Sequence, residues 1–96
     1  MIRLRHSMEY KIEYLKEAEK ELSQLPKKHI VQILHKIDTL QYFGTTVGVK
    51  KLKGAKDVAF YRIRSGDYRI IFTVEEKRIV ILIVRIAHRR DVYRNL

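Results

Sequence analysis

The chain has 96 residues, 46% of them hydrophobic and 33% charged, which suits one small ordered domain rather than a disordered tail. It has no cysteine, which excludes disulfides and cysteine-based zinc sites and fits a reducing, cytoplasmic setting. Net charge is +10 and uneven: residues 1–49 carry 8 Lys/Arg against 6 Asp/Glu, and residues 50–96 carry 13 against 5, so the second half holds most of the field that attracts a polyanion.

Met1 to Ser7 carries two arginines with no apolar segment after them, so it reads as an extension outside the core and not as a secretory signal. Tyr10 to Tyr14 alternates at period two and predicts a first strand. The period then changes. Leu15, Ala18, Leu22 and Leu25 form one helical stripe, and Pro26 ends that helix or opens the next. From Lys27 to Leu40 a second stripe runs through Ile30, Ile33, Leu34, Ile37 and Leu40. Tyr42 to Gly48 has no period and predicts a loop. Val49 to Lys56 is a basic lead-in to the sheet. Val58 to Arg64 and Tyr68 to Val74 alternate as strands, and Glu75 to Arg78 is a polar turn. Ile79 to Ile86 is apolar on both faces until Arg85, as a central strand should be; its longest apolar run is too short to cross a bilayer, so no membrane partner is expected.

The order strand, helix, helix, strand, strand, strand predicts an α+β fold in a single domain over residues 1–96. An N-terminal strand and a three-stranded antiparallel meander make one sheet, a helical hairpin covers one face, and the other face stays open. Ser65-Gly66 is a two-residue hairpin signal. With those two residues as the loop, Arg62 stands directly opposite Arg69 on the open face. Like charges so placed destabilise a hairpin, so the arrangement asks for an anion between them, and a phosphodiester fits.

No metal or cofactor is expected, because His6, His29, His35 and His88 lack ligand spacing and no nucleotide-binding motif is present. No small-molecule substrate is expected either. The remaining polar cluster is basic: Lys50, Lys51, Lys53, Arg62, Arg64, Arg69, Arg85, His88, Arg89 and Arg90, with Tyr93 close behind. RNA carries its own nucleophile, the 2′-hydroxyl. Cleaving it needs a base, cations for the crowded phosphorane and an acid for the leaving oxygen. Arginine suits the second task, and a histidine or a tyrosine beside arginine suits the proton transfers.

Three strings now carry a resemblance: Lys51-Leu52-Lys53-Gly54; Phe60-Tyr61-Arg62-Ile63-Arg64-Ser65-Gly66-Asp67-Tyr68-Arg69-Ile70-Ile71-Phe72; and Arg85-Ile86-Ala87-His88-Arg89-Arg90-Asp91-Val92-Tyr93-Arg94. Together with the Tyr10 to Leu25 opening, they resemble the RelE toxins of the RelE/ParE superfamily of type II toxin–antitoxin systems, from Met8 to Arg94. The resemblance implies an endonuclease that enters the ribosomal A site, with mRNA and rRNA as its partners, and cuts the mRNA there, leaving a cyclic phosphate and a 5′-hydroxyl. It also implies a cognate antitoxin that wraps and blocks the toxin. By position, Arg62 and Arg69 match residues that hold the scissile phosphate. Arg89 matches one that stabilises charge or the leaving group, and Tyr93 matches a base. Lys51 and Lys53 match a loosely basic lead-in, and Arg64, Arg85 and Arg90 extend the RNA-binding surface. Phe60 stands where the best-studied RelE has lysine, and it points to the open face, where it can stack on a base. His88 offers an alternative proton-transfer group, as a histidine near the C-terminus does in the related YoeB toxins. Two other readings compete: a gyrase poison of the ParE kind without nuclease activity, and a non-toxic module that only binds antitoxin.

Overall fold

The computed structural model describes residues 9–52 and 58–91. Strand β1 (Lys11–Tyr14) leads into helices α1 (Lys16–Ser23) and α2 (Lys27–Asp38), followed by a 3-10 segment (Thr39–Thr45). Strands β2 (Lys50–Lys51), β3 (Phe60–Ser65), β4 (Tyr68–Glu75) and β5 (Val80–His88) complete the order. They form one five-stranded sheet, β1-β5-β4-β3-β2, antiparallel except that β1 runs parallel to β5. The expected α+β architecture is present, with a short fifth strand at the edge that the basic lead-in had concealed.

Two expectations change. The predicted loop at Tyr42–Gly48 begins as 3-10 helix, kinked at Tyr42 (φ −108°, ψ 49°) and tied by the Thr46 hydroxyl to the carbonyls of Thr39 (2.6 Å) and Tyr42 (2.9 Å). These bonds satisfy carbonyls freed where α2 ends. The hairpin register also changes. The loop is Gly66-Asp67, and Ser65 pairs with Tyr68, Arg64 with Arg69, Ile63 with Ile70 and Arg62 with Ile71. Gly66 has φ +57° while Asp67 is not left-handed, which fits a type II′ turn with glycine at its first central position. Glycine therefore had to sit first in the loop, not second. The correction moves every cross-strand partner by two residues, so the faces are unchanged.

One face is covered by helices, α1 lying along β5 and α2 over β3. There Ala18, Ile33, Ile37 and Leu40 meet Ile63, Ile70, Phe72, Ile81, Ile83 and Ile86, all essentially inaccessible to solvent. Burial of this kind contributes roughly 1.5–3 kcal/mol for each large side chain and is the main support of the fold. Phe43 packs edge-on against Tyr10, Tyr61 and Phe72, closing the core below the 3-10 segment. Where β1 stops, α1 takes over the edge of β5: Glu21 Oε1 accepts the Ile86 N–H at 2.8 Å. Among the described residues no helix is long and apolar enough to cross a membrane.

Candidate functional site

The helix-free face of the sheet is built by alternation. Phe60, Arg62 and Arg64 of β3 face the side opposite to Tyr61 and Ile63, which join the core. Register then places Arg69 beside Arg64, and sets Lys50, Arg62, Ile71 and Arg85 in one row across four strands. Arg62 and Arg69 are diagonal neighbours on one face, not opposite partners. Opposite Arg69 stands Arg64. Ser65 and Tyr68 close the two-residue loop as a hydrogen-bonded pair, so Arg64 and Arg69 fall at the next, non-hydrogen-bonded position, where Cα atoms approach to about 4.5 Å. Three guanidinium groups thus share one corner of the face.

Their environments differ. Arg64 is exposed and Arg69 half-buried, but Arg62 is only 8% exposed. The Arg62 Nε is inaccessible and has no hydrogen-bond partner. Among the described residues no carboxylate forms an ion pair with Arg62, Arg64 or Arg69. Burying a cation's N–H without an acceptor is expensive, and three like charges at one corner repel, so an anion there would be bound favourably. Arg85 is in a different position. Its Nε donates to Glu21 Oε2 at 3.1 Å, which gives it a neutralising partner on α1.

The segment after β5 reaches the same end of the sheet. The Arg89 N–H donates to the Asp67 carbonyl at 2.8 Å, which fixes Arg89 beside the hairpin loop. Arg90 is exposed, and its N–H donates to His88 Nδ1 at 3.3 Å. His88 itself pairs with Tyr68 and lies on the helix side. Its ring meets that of Tyr68 edge-on (5.9 Å), and Tyr68 in turn meets His29 of α2 (5.1 Å). The sheet therefore separates His88 from the arginine corner. Lys51 pairs with Tyr61 and faces the helix side as well, whereas Lys50, its neighbour, is the lysine beside Arg62. Phe60 lies on the helix-free face opposite Thr73. Lys53 and Tyr93 lie outside the described residues.

Among the described residues the tyrosines whose phenols are held above the ordinary value of 10.0 are Tyr10 and Tyr14, in both cases chiefly through burial, and both belong to the core side. The described strand residues of the helix-free face include neither imidazole nor phenol. The arginines gathered there can bind and polarise an anion.

Comparison with known proteins agrees with this geometry. Residues 12–93 match the family described as the ParE toxin of the type II toxin–antitoxin system parDE. The chain belongs to the RelE/ParE toxin superfamily. Within it, the protein designated toxin RelE1 in Methanocaldococcus jannaschii is 30% identical over 91 residues, spanning 92% of this chain and 99% of that one. RelE in the crystal structure of the archaeal RelE–RelB complex from Pyrococcus horikoshii is 36% identical, with a TM-score of 0.72 over 88% of this chain and 100% of that chain. The M. jannaschii RelB–RelE antitoxin–toxin complex gives 28% identity and a TM-score of 0.65, covering 84% and 94%. The RelE-like fold and the place of this chain as a toxin of a type II system follow from these matches.

Proposed function

We propose that this RelE/ParE toxin is a ribosome-dependent endoribonuclease that arrests translation by cutting mRNA in the A site. The observation that carries the reading is Arg62, a nearly buried arginine whose Nε has no partner, sharing a face with Arg64 and Arg69 and lacking a carboxylate ion-pair partner among the described residues. In this reading the 2′-hydroxyl attacks the adjacent phosphorus and the bond to the 5′ oxygen breaks, so a cyclic phosphate and a 5′-hydroxyl result. Arg62 and Arg69 hold the non-bridging oxygens as charge accumulates on them, with Arg64 completing the cradle. Arg89, anchored at the hairpin loop, supplies charge at the leaving side. Proton transfer falls to Tyr93, since His88 is turned to the opposite side of the sheet. Chemistry of this kind requires no metal or cofactor.

The relatives from P. horikoshii and M. jannaschii are complexes of RelE with RelB. By extension, a cognate antitoxin covers this toxin and silences it. Replacing Arg62 and Arg69 together by alanine should abolish growth arrest on induction while circular dichroism stays native. Arrest that persists in the folded double variant would remove the phosphate cradle from the mechanism.

One observation favours a second reading: the matching family description is that of the ParE toxin, the branch that poisons DNA gyrase. Mapping RNA and DNA ends after induction separates the two. Codon-positioned transcript cuts support the nuclease, and DNA breaks with intact transcripts support the gyrase poison.

A further inference from the structure

Beyond the short strand β2, the outer edge of β3 borders a cavity of about 480 Å³, lined by Lys36, Val47, Gly48, Arg62, Ile63 and Arg64. Its size is that of a small-ligand site. Among the described residues the lining holds three cations from two distant parts of the chain and no carboxylate. Lys36 comes from α2 on the helix side of the sheet, and Arg62 and Arg64 come from the helix-free side, so the cavity wraps the sheet edge and joins the two sides. Arg62, whose Nε is the one buried side-chain nitrogen without a partner among the described residues, is one of the lining residues. Gly48, with φ +89°, turns the chain back so that Lys50 can pair with Arg62. Val47 stands 88% exposed at the rim.

We propose that this cavity is a second phosphate subsite, which carries the RNA backbone away from the arginine corner and around the edge of β3 to Lys36. The inference rests on the reading of this toxin as an RNA-binding nuclease and adds a subsite and a residue to it. Side chains two apart on a strand project about 6.8 Å from one another, comparable with the step between phosphates of an extended single strand. A backbone seated between Arg64 and Arg69 therefore meets the cavity at its next phosphate. There Arg62 serves both positions and Lys36 serves only the new one. Val47 offers apolar contact to a ribose or base. Lys36 is a binding residue in this scheme and takes no part in bond breaking.

The test is binding of a fluorescein-labelled single-stranded oligoribonucleotide to the full-length toxin, by anisotropy, over a series of salt concentrations. Lys36→Gln keeps the length and helix propensity of the side chain and should fold normally. It should weaken binding roughly tenfold at low salt and lower the slope of log affinity against log salt by about 0.7, the release expected for one phosphate of a single strand. Lys36→Arg should restore both. If Lys36→Gln binds as the parent does while the Arg62/Arg69 double variant binds weakly, the subsite is wrong and the nuclease reading stands. If neither variant alters RNA binding, both fall. If Lys36→Gln weakens only a glutamate-rich peptide probe and leaves RNA untouched, the cavity belongs to a protein partner and the inference is overturned.

Discussion

Replacing Arg62 by methionine should make this toxin more stable and inactive. Arg62 is 8% exposed, its Nε has neither solvent nor a partner, and its cross-strand neighbour Ile71 is fully buried. Methionine keeps an unbranched apolar stem of similar reach over Ile71 and removes the polar head. A buried polar group left unsatisfied costs about 1–3 kcal/mol, and a charged one costs more, so the substitution should raise unfolding free energy by about 1–3 kcal/mol. In a domain of this size each kcal/mol moves Tm by roughly 4–8 °C. Urea unfolding should show a higher midpoint with an unchanged slope, which marks a change in stability rather than in compactness. An added RNA oligonucleotide should raise the Tm of the parent by mass action and that of Arg62→Met far less. A loss of stability in Arg62→Met would show that the guanidinium supports the fold, and the case for an awaiting anion would fail.

Two other expectations concern the frame rather than the site. Ile79, in the turn between β4 and β5, has φ +55°, a conformation that costs a β-branched residue roughly 1–2 kcal/mol. Ile79→Asn should raise the urea midpoint by the equivalent of up to about 1 kcal/mol, because its backbone bonds to Glu76 and Lys11 remain and only half-buried contact is lost; a lower midpoint would refute the strain. The Tyr14 phenol is held above its ordinary value of 10.0 first by burial and then by the Asp38 and Glu19 carboxylates. A pKa raised on folding adds stability that is complete below the unfolded value and is lost as pH climbs through the folded one. The stability of Tyr14→Phe relative to the parent should therefore rise above pH 10, and a constant gap from pH 7 upward would contradict the assignment.

Much of the architecture was legible because it depends on parity and period. Ile30, Ile33, Leu34 and Ile37 mark a helix whatever its neighbours, and alternation through Tyr61, Arg62, Ile63 and Arg64 assigns faces whatever the register. That is why an error in the hairpin loop moved Arg62 from Arg69 to Ile71 yet left both arginines on the same side. Pairing itself was not legible to one residue, because Ser-Gly and Gly-Asp both satisfy a two-residue turn, and only the left-handed backbone of Gly66 distinguishes them. His88 escaped for a related reason. Strand β5 runs to His88 rather than stopping at Ile86, and two more residues of strand decide that its ring faces Tyr68. Lys36 carried no signal at all, since a lysine off the apolar stripe of α2 looks like any solvated helix residue.

The row Lys50–Arg62–Ile71–Arg85 shows how a ligand-seeking arginine differs from a structural one. Ile71 is fully buried yet stands apart from the main core, flanked by two guanidinium-bearing side chains whose aliphatic stems can cover it. By packing alone Arg62 and Arg85 have equivalent places. They part electrostatically: Arg85 meets Glu21, a residue 64 positions earlier in the chain, at 3.1 Å, and Glu21 is itself fixed by the Ile86 N–H. Helix α1 thus neutralises the cation nearest to it as a consequence of sealing the edge of β5. Among the described residues no element brings a carboxylate into an ion pair with Arg62, and β2 on its other side presents Lys50. Among the described residues the sheet therefore balances its charge at the α1 side and leaves it unbalanced at the β2 side, and in the proposed reading it is to this unbalanced side that the RNA is drawn.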